Sequence, residues 1–347
     1  MKYVHFFLIT VLGAIMLLSA CGGDEGILSK GLYSAGVFVV NEGNYGESDG
    51  SLSFIDKQGT VNNDIYSLNN EGVPLGDVVQ SMFVHESLAF LVVNNSNKVA
   101  VVQAEDMQLL YTISELSLPR YIIIDGGYGY ISEWVSFGEP GRVSVVDLLS
   151  HEIVATIPVG YGAESLAIRD NHLYVSNSFE ASISVIDLST HLVINNLTVG
   201  EGPSSMLLDD SGTLWVLCSG GYDEDWSPSN NGQLVALNKL DEPLFTVDLG
   251  MNVSGKIAID LALEVLYFIN GTTAYRYDIS TTRIDKFIEN EQAVAFYGIG
   301  VAKDGRIYIS DSKGFLSAGE VAIYDSDAML IETVQVGRGP NSFVFHN

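Results

Sequence analysis

Seven bulky aromatic residues fall in stretches rich in glycine, serine, asparagine and acid: Tyr45, Trp134, Phe137, Phe179, Tyr222, Trp226 and Phe315. Connecting segments run over the surface, so such rings stay wet unless they fold back on their own loop or await a partner. Gathered on one face, they form a platform for a large, flat molecule with apolar faces. The residues for catalysis are harder to assemble. The six histidines, His5, His85, His151, His172, His191 and His346, are scattered, and no pair stands at metal-ligand spacing. No serine, histidine and acid combine into a nucleophilic set. The run "DEDWSPSN", Asp223 to Asn230, offers oxygen ligands that suit a hard cation. It lacks the full twelve-residue calcium pattern and reads as a solvated acidic loop. Binding without turnover is the expectation.

These residues must be held by strands. An alternating apolar stretch ending in a polar residue recurs along the chain: "SLSFID" to Asp56, "VAVVQ" to Gln103, "VSVVD" to Asp147, "ISVID" to Asp187, "LVALN" to Asn238, "AYRYD" to Asp278 and "VAIYD" to Asp325. The spacings are 47, 44, 40, 51, 40 and 47 residues, a period that indicates propeller blades. Around each copy lie further strand signals. "GAESLAIRDNHLYVSNS" and "FYGIGVAKDGRIYISDS" each give a short strand, a polar turn and a second alternating strand. "HEIVATIPVG" and "HLVINNLTVG" each give a fourth strand after the recurring one. Four antiparallel strands make a blade, and sustained 3.6-residue periodicity is absent, so helix is minor. The C-terminal "GRGPNSFVFHN" supplies one strand and the N-terminal "GVFVVNEG" region the other three. The expected fold is all-β: a closed seven-bladed propeller over residues 35–347, its termini sharing one blade.

In such a ring, two sets of connections emerge on one face. Those entering each innermost strand place Gln80, Arg120 with Tyr121, Glu164, Ser204, Lys256, Tyr297 and Asn341 around the mouth of the central channel. Those between second and third strands carry the aromatic residues. The expected ligand contacts are Tyr45, Trp134, Phe137, Phe179, Tyr222, Trp226 and Phe315 as apolar walls. Asn44, Arg120, Tyr121, Tyr161, Tyr297 and Asn341 are the expected polar or amphipathic partners near the channel.

The N-terminus speaks to location. One early lysine and a short apolar run lead to Leu18, Ser19, Ala20 and Cys21. The run is too short for a stable membrane span and reads as an export signal over residues 1–20. Leu18 to Cys21 resemble the lipobox of bacterial lipoproteins, which implies a lipid on Cys21, a tether over residues 21–34 and membrane attachment by the lipid alone. Cys218 then has no partner for an intramolecular disulfide, and a 47% hydrophobic composition must supply the core. Sixteen basic against 43 acidic side chains give a net charge of −27, which repels nucleic acid and anionic membrane.

The stretch "VFVVNEGNYGESDGSLSFID" and the repeat "GAESLAIRDNHLYVSNSFEASISVIDLSTH" resemble the YncE-like propeller lipoproteins on the surface of Bacteroidota, among them the cobalamin-binding BtuG type. The resemblance covers the mature chain. It implies capture of a scarce, bulky nutrient outside the outer membrane and delivery to a TonB-dependent transporter, without catalysis or a resident cofactor. Asp24 and Glu25, soon after Cys21, resemble the signals that send such lipoproteins to the cell surface. A corrinoid such as vitamin B12 suits the loops physically. It is wide, flat and fringed with amides, so rings cover its apolar parts while polar groups meet its edge. Other readings stay open: a haem or siderophore binder, a propeller hydrolase or lyase using Glu164 and Asn341, and a surface-layer or adhesion protein. An anionic siderophore would need Arg120, Arg142, Lys256 and Lys313 gathered on one face.

Overall fold

The recurrent alternating stretches become strands because one face of each packs against the neighbouring blade. The computed structural model describes residues 32–223, 225 and 227–346; Cys21, Asp24, Glu25 and Trp226 lie outside the described residues. Seven four-stranded antiparallel sheets stand around a central channel. Blade 1 joins the two ends of the chain: Pro340–His346 is innermost and pairs with Gly36–Asn41, followed by Ser51–Asp56 and Val61–Asn62. Blades 2 to 7 follow in chain order, with innermost strands Val79–His85, Pro119–Asp125, Ala163–Arg169, Pro203–Leu208, Ile257–Asp260 and Phe296–Val301. Each innermost strand touches those of the blades before and after it, which closes the ring. Short helical turns occur at Ile65–Asn69 and Lys313–Phe315. No helix among the described residues is long and apolar enough to cross a membrane.

Burial peaks in the second and third strands of each blade and falls off toward its outer edge. Second strands such as Leu88–Val93 and His172–Asn177 are buried almost throughout, whereas the outer strand Leu192–Thr198 is largely exposed. The apolar side chains form clusters between neighbouring blades. Phe90, Val92, Val99 and Val101 of blade 2 meet Ile122, Ile124, Ile131 and Val146 of blade 3, and the remaining junctions repeat this pattern. Adjacent sheets therefore share one apolar layer, and no blade has a complete core of its own. The Asp that ends most of the recurrent stretches has a local task. Asp147, Asp187 and Asp278 accept from backbone or side-chain groups two and three residues ahead and shape the turn to the fourth strand.

The innermost strands do not run evenly. Their register with the second strand shifts around Gln80, around Arg120 and Tyr121, around Glu164 and Ser165, around Ser204 and around Tyr297. Most channel-mouth residues, expected on connecting loops, thus sit on β-bulges within the strands, and a bulge re-aims the side chains it carries; Lys256 stays on the connection just before Ile257–Asp260, as expected. Closure between blades 1 and 2 rests on Asn341, whose buried amide donates to the carbonyls of Val79 and Gln80 at 3.2 and 3.1 Å. Asn341→Leu keeps the volume and removes the donor. Urea unfolding should show a loss of about 2 kcal/mol, the cost of leaving buried carbonyls unpaired.

Candidate ligand-binding site

The bulges and the loops above them enclose a cup of about 780 Å³ at the channel mouth, within the usual size range of small-molecule sites. Its wall begins with Trp134, which follows the second strand of blade 3, its indole ring lying under the Arg120 guanidinium at 3.9 Å. Trp134 Nε1 donates to Glu164 Oε2 at 2.8 Å. Arg120 donates through Nε and Nη2 to the two Glu164 oxygens at 2.9 and 2.8 Å, and through Nη1 to Gln80 Oε1 at 2.5 Å. One guanidinium therefore ties blades 2, 3 and 4 and fixes the tryptophan. Burial works against the Arg120 charge, but Glu164 outweighs it and raises its pKa above the ordinary arginine value.

Phe137 and Phe179 extend this wall. Their rings lie 5.6 and 4.9 Å from that of Trp134, and 6.0 Å from each other at an interplanar angle of 22°. Phe137 remains 75% exposed and Phe179 46%. The opposite side carries Tyr45, 80% exposed, and Phe315, whose ring meets Tyr297 edge-on at 5.2 Å. Tyr45 stands on a pinned loop. The Gly46 amide donates to both Asp77 carboxylate oxygens at 3.0 and 2.9 Å, and the Asn44 amide to Asp49 Oδ1 at 2.7 Å. The Asn44 side chain, oriented by its hydrogen bonds, bridges the Phe315 carbonyl and the Arg338 guanidinium.

At the bottom, two phenols hold two charges. Tyr297 donates to Glu42 Oε2 at 2.5 Å, and Lys256 Nζ donates to the Tyr121 oxygen at 3.1 Å. Burial, then the Glu42 charge, pushes the Tyr297 pKa well above its ordinary value, so this phenol stays protonated. Lys256 belongs to blade 6 and Tyr121 to blade 3, on opposite sides of the ring. Their bond crosses the channel and turns an open pore into a cup.

The expected contacts therefore separate into groups. Asn44, Tyr45, Tyr121, Trp134, Phe137 and Phe315 line the cup, as do Arg120, Tyr297 and Asn341. In the last three, the polar groups are already engaged by the protein. Phe179 stands against the Trp134 wall, and Tyr161 lies behind it, its carbonyl accepting from the Phe179 amide at 3.2 Å. Tyr222 pairs with Pro228 in a small hairpin and is not among the lining residues. Glu42, Gln80, Asn95, Glu164 and Lys256 also line the cup without having been expected as ligand contacts. The signal for all five lay in the repeat register, since Gln80 and Glu164 stand at the innermost-strand position, Lys256 directly precedes its innermost strand, and Glu42 and Asn95 follow second strands.

Among the described residues, no group of three or more histidine, cysteine, aspartate or glutamate side chains is placed to hold a metal ion. Cys218 is buried, and that burial raises its thiol pKa to about 12. Of the four cations a siderophore would need, Arg142 is paired with Glu133 and Lys313 with Asp311 and Glu320, while Arg120 is taken up by Glu164.

A propeller with an aromatic cup at its channel mouth defines a class of ring-shaped scaffolds that host sites of many kinds. The chain belongs to the family described as a domain of unknown function, DUF5074, whose model matches residues 35–345. No curated protein matches it. Among solved structures it is similar to a quinoprotein alcohol dehydrogenase-like protein from Bacteroides thetaiotaomicron, at 15% identity and a TM-score of 0.71 over 91% of this chain and 79% of that one. It is also similar to hydrazine synthase from Kuenenia stuttgartiensis, at 16% identity and a TM-score of 0.62 over 74% of this chain and 85% of that one. A functionally unknown protein from Desulfotomaculum acetoxidans matches at 11% identity and a TM-score of 0.69, over 90% of this chain and 99% of that one. At these identities the likeness is one of fold.

Glu164 is the acceptor on which the wall depends. Glu164→Gln leaves the Arg120 guanidinium without its counter-charge and should lower unfolding free energy by about 3 kcal/mol in urea titrations, as loss of one partner of a buried ion pair does.

Proposed function

We propose that the protein captures a bulky nutrient in the channel-mouth cup, most specifically a corrinoid such as vitamin B12, and presents it to a TonB-dependent outer-membrane transporter. The observation that carries this reading is the pairing of exposed rings with a rigid mount. Leaving a ring such as Phe137 in water forgoes about 1.5–3 kcal/mol of burial. It stands beside Trp134, whose indole is held at both its nitrogen and its face. Such a wall is ready for a flat apolar partner at little ordering cost.

The resemblance to YncE-like surface lipoproteins of the BtuG type supports the choice of ligand, since a corrinoid held by its faces and amide fringe needs no protein ligand to cobalt. The same resemblance supports lipidation of Cys21 and display at the cell surface. The strand Gly36–Asn41 runs from the opposite face up to the cup, so the preceding chain meets the propeller on the face away from the cup. A tether over residues 21–34 would then hold the cup outward from the membrane. The engagement of Arg120, Arg142 and Lys313 by carboxylates weighs against an anionic siderophore. The commitment of Glu164 and Asn341 to internal bonds weighs against a hydrolase or lyase.

Calorimetric titration of the mature protein with cyanocobalamin, haemin and ferric siderophores tests the ligand. Saturable binding of cyanocobalamin, weakened by about 2 kcal/mol or more in Trp134→Ala, is the expected result. Absence of corrinoid binding by the folded wild type would overturn it. For the anchor, Cys21→Ser should abolish incorporation of radiolabelled palmitate and release the protein from the membrane fraction.

A further inference from the structure

The cup holds one cation that the protein leaves unneutralised at close range. Arg120 is spent on Glu164 and Gln80, as described above. Lys256 differs: its ammonium donates to the Tyr121 phenol at 3.1 Å, and no carboxylate among the described residues lies within 4.0 Å of it. An ammonium has three donors, and the phenol takes one. In a chain of net charge −27, a buried cation with no carboxylate in contact is a costly choice unless something else completes it.

Its surroundings keep it charged. Burial works against the charge, but the Tyr121 oxygen and Glu164 outweigh it, and Lys256 titrates above the ordinary lysine value. Glu42, the other charge at the bottom of the cup, is occupied by Tyr297. The rings line the wall, whereas the Lys256 ammonium reaches across the channel to Tyr121. A ligand entering from the mouth therefore meets apolar surface along its sides and a cation at its leading end.

We propose that Lys256, held across the channel by Tyr121, forms an anion-accepting subsite at the bottom of the cup, which selects ligands that carry one anionic oxygen group, a phosphodiester or a carboxylate, on the end that enters first. This rests on the reading of the cup as a ligand site and adds to it a specificity determinant. For a corrinoid, the group is the phosphodiester of the nucleotide loop, which cobinamide lacks.

Two titrations test it on Lys256→Met, with Lys256→Arg and Tyr121→Phe alongside and folding checked by circular dichroism. In the first, inorganic phosphate or acetate is added at constant ionic strength while tryptophan emission is followed. A saturable millimolar response in wild type and Lys256→Arg, kept in Tyr121→Phe and absent in Lys256→Met, supports the subsite, and the stronger of the two anions identifies the preferred group. No difference between wild type and Lys256→Met overturns it. In the second, cyanocobalamin affinity should fall about tenfold to a hundredfold in Lys256→Met, the worth of one charge-assisted hydrogen bond, with cobinamide affinity unchanged. Equal loss for both corrinoids, or no loss, overturns the subsite while leaving corrinoid capture standing. A Lys256-dependent phosphate response without any corrinoid binding supports the subsite and overturns corrinoid capture.

Discussion

Closing seven sheets into a ring requires each innermost strand to be fastened to the next at the channel, where the strands crowd and side chains are small. A serine relay does much of this. Ser132 Oγ accepts from the Tyr121 amide within blade 3 at 3.1 Å and donates to the Glu164 carbonyl of blade 4 at 2.6 Å. Ser310 accepts from the Gly298 amide at 2.8 Å and donates to the Pro340 carbonyl at 2.6 Å, fastening blade 7 to the C-terminal strand of blade 1. Ser81 reaches the Arg120 carbonyl, and Ser165 accepts from the Met206 amide. A hydroxyl can accept and donate at once, so a bulge amide and a neighbouring carbonyl are both satisfied by one small buried side chain. Without the bulge the register would have no spare amide, and without the serine the spare amide would be buried and unpaired.

The same bulges that the relay satisfies also aim the functional residues. Tyr121 offers its amide to Ser132 and its ring and hydroxyl to the channel; Glu164 offers its carbonyl to Ser132 and its carboxylate to Arg120 and Trp134. Structure and site are thus one device. A neighbour that disturbs a bulge moves the cup wall, and strain is transmitted through Arg120 to three blades. Gly298 shows how little slack remains: an added Cβ there would stand 2.8 Å from the Asn341 carbonyl oxygen and 2.9 Å from Ser310 Oγ.

The fold was legible in the sequence because the repeat is written in strand periodicity and in turn acids. The aspartates ending "VSVVD", "ISVID" and "AYRYD" recur because each caps the same turn, a local requirement that a single chain reveals. The seam was legible because its halves are complementary in strand number. Apart from Lys256, which does lie on a connection, the channel-mouth residues were found at the right positions but as loop residues, since alternation cannot distinguish a bulge from the start of a strand. The aromatic loops were less legible. Trp134, Phe137 and Phe179 meet because blades 3 and 4 are neighbours, which strand counting supplies, whereas the direction of Tyr222 depends on a hairpin held by Asn252, more than 20 residues on, whose amide reaches the Ser219 and Asn230 carbonyls. The bond between Lys256 and Tyr121 spans 135 residues and three blades, and nothing local announces it.

A cup whose polar lining is mostly satisfied from within constrains how it discriminates. Arg120, Glu164, Gln80, Tyr297 and Asn341 give their hydrogen bonds to the protein, so a ligand gains little by replacing them and would strand a buried partner if it did. If the cup takes a ligand as proposed, selection would fall to the shape of the aromatic wall, to backbone and asparagine groups at the rim, and to the Lys256 ammonium. Shape rejects weakly among flat apolar molecules of similar size, because one extra apolar group shifts affinity by only about 1–3 kcal/mol. A charge aimed into a partly dry cup rejects far more sharply, since a ligand that lacks its complement must leave the cation desolvated and unpaired. On the proposed reading, the ring holds that cation across the channel from Tyr121, where it would let an otherwise apolar receptacle read the end of its guest.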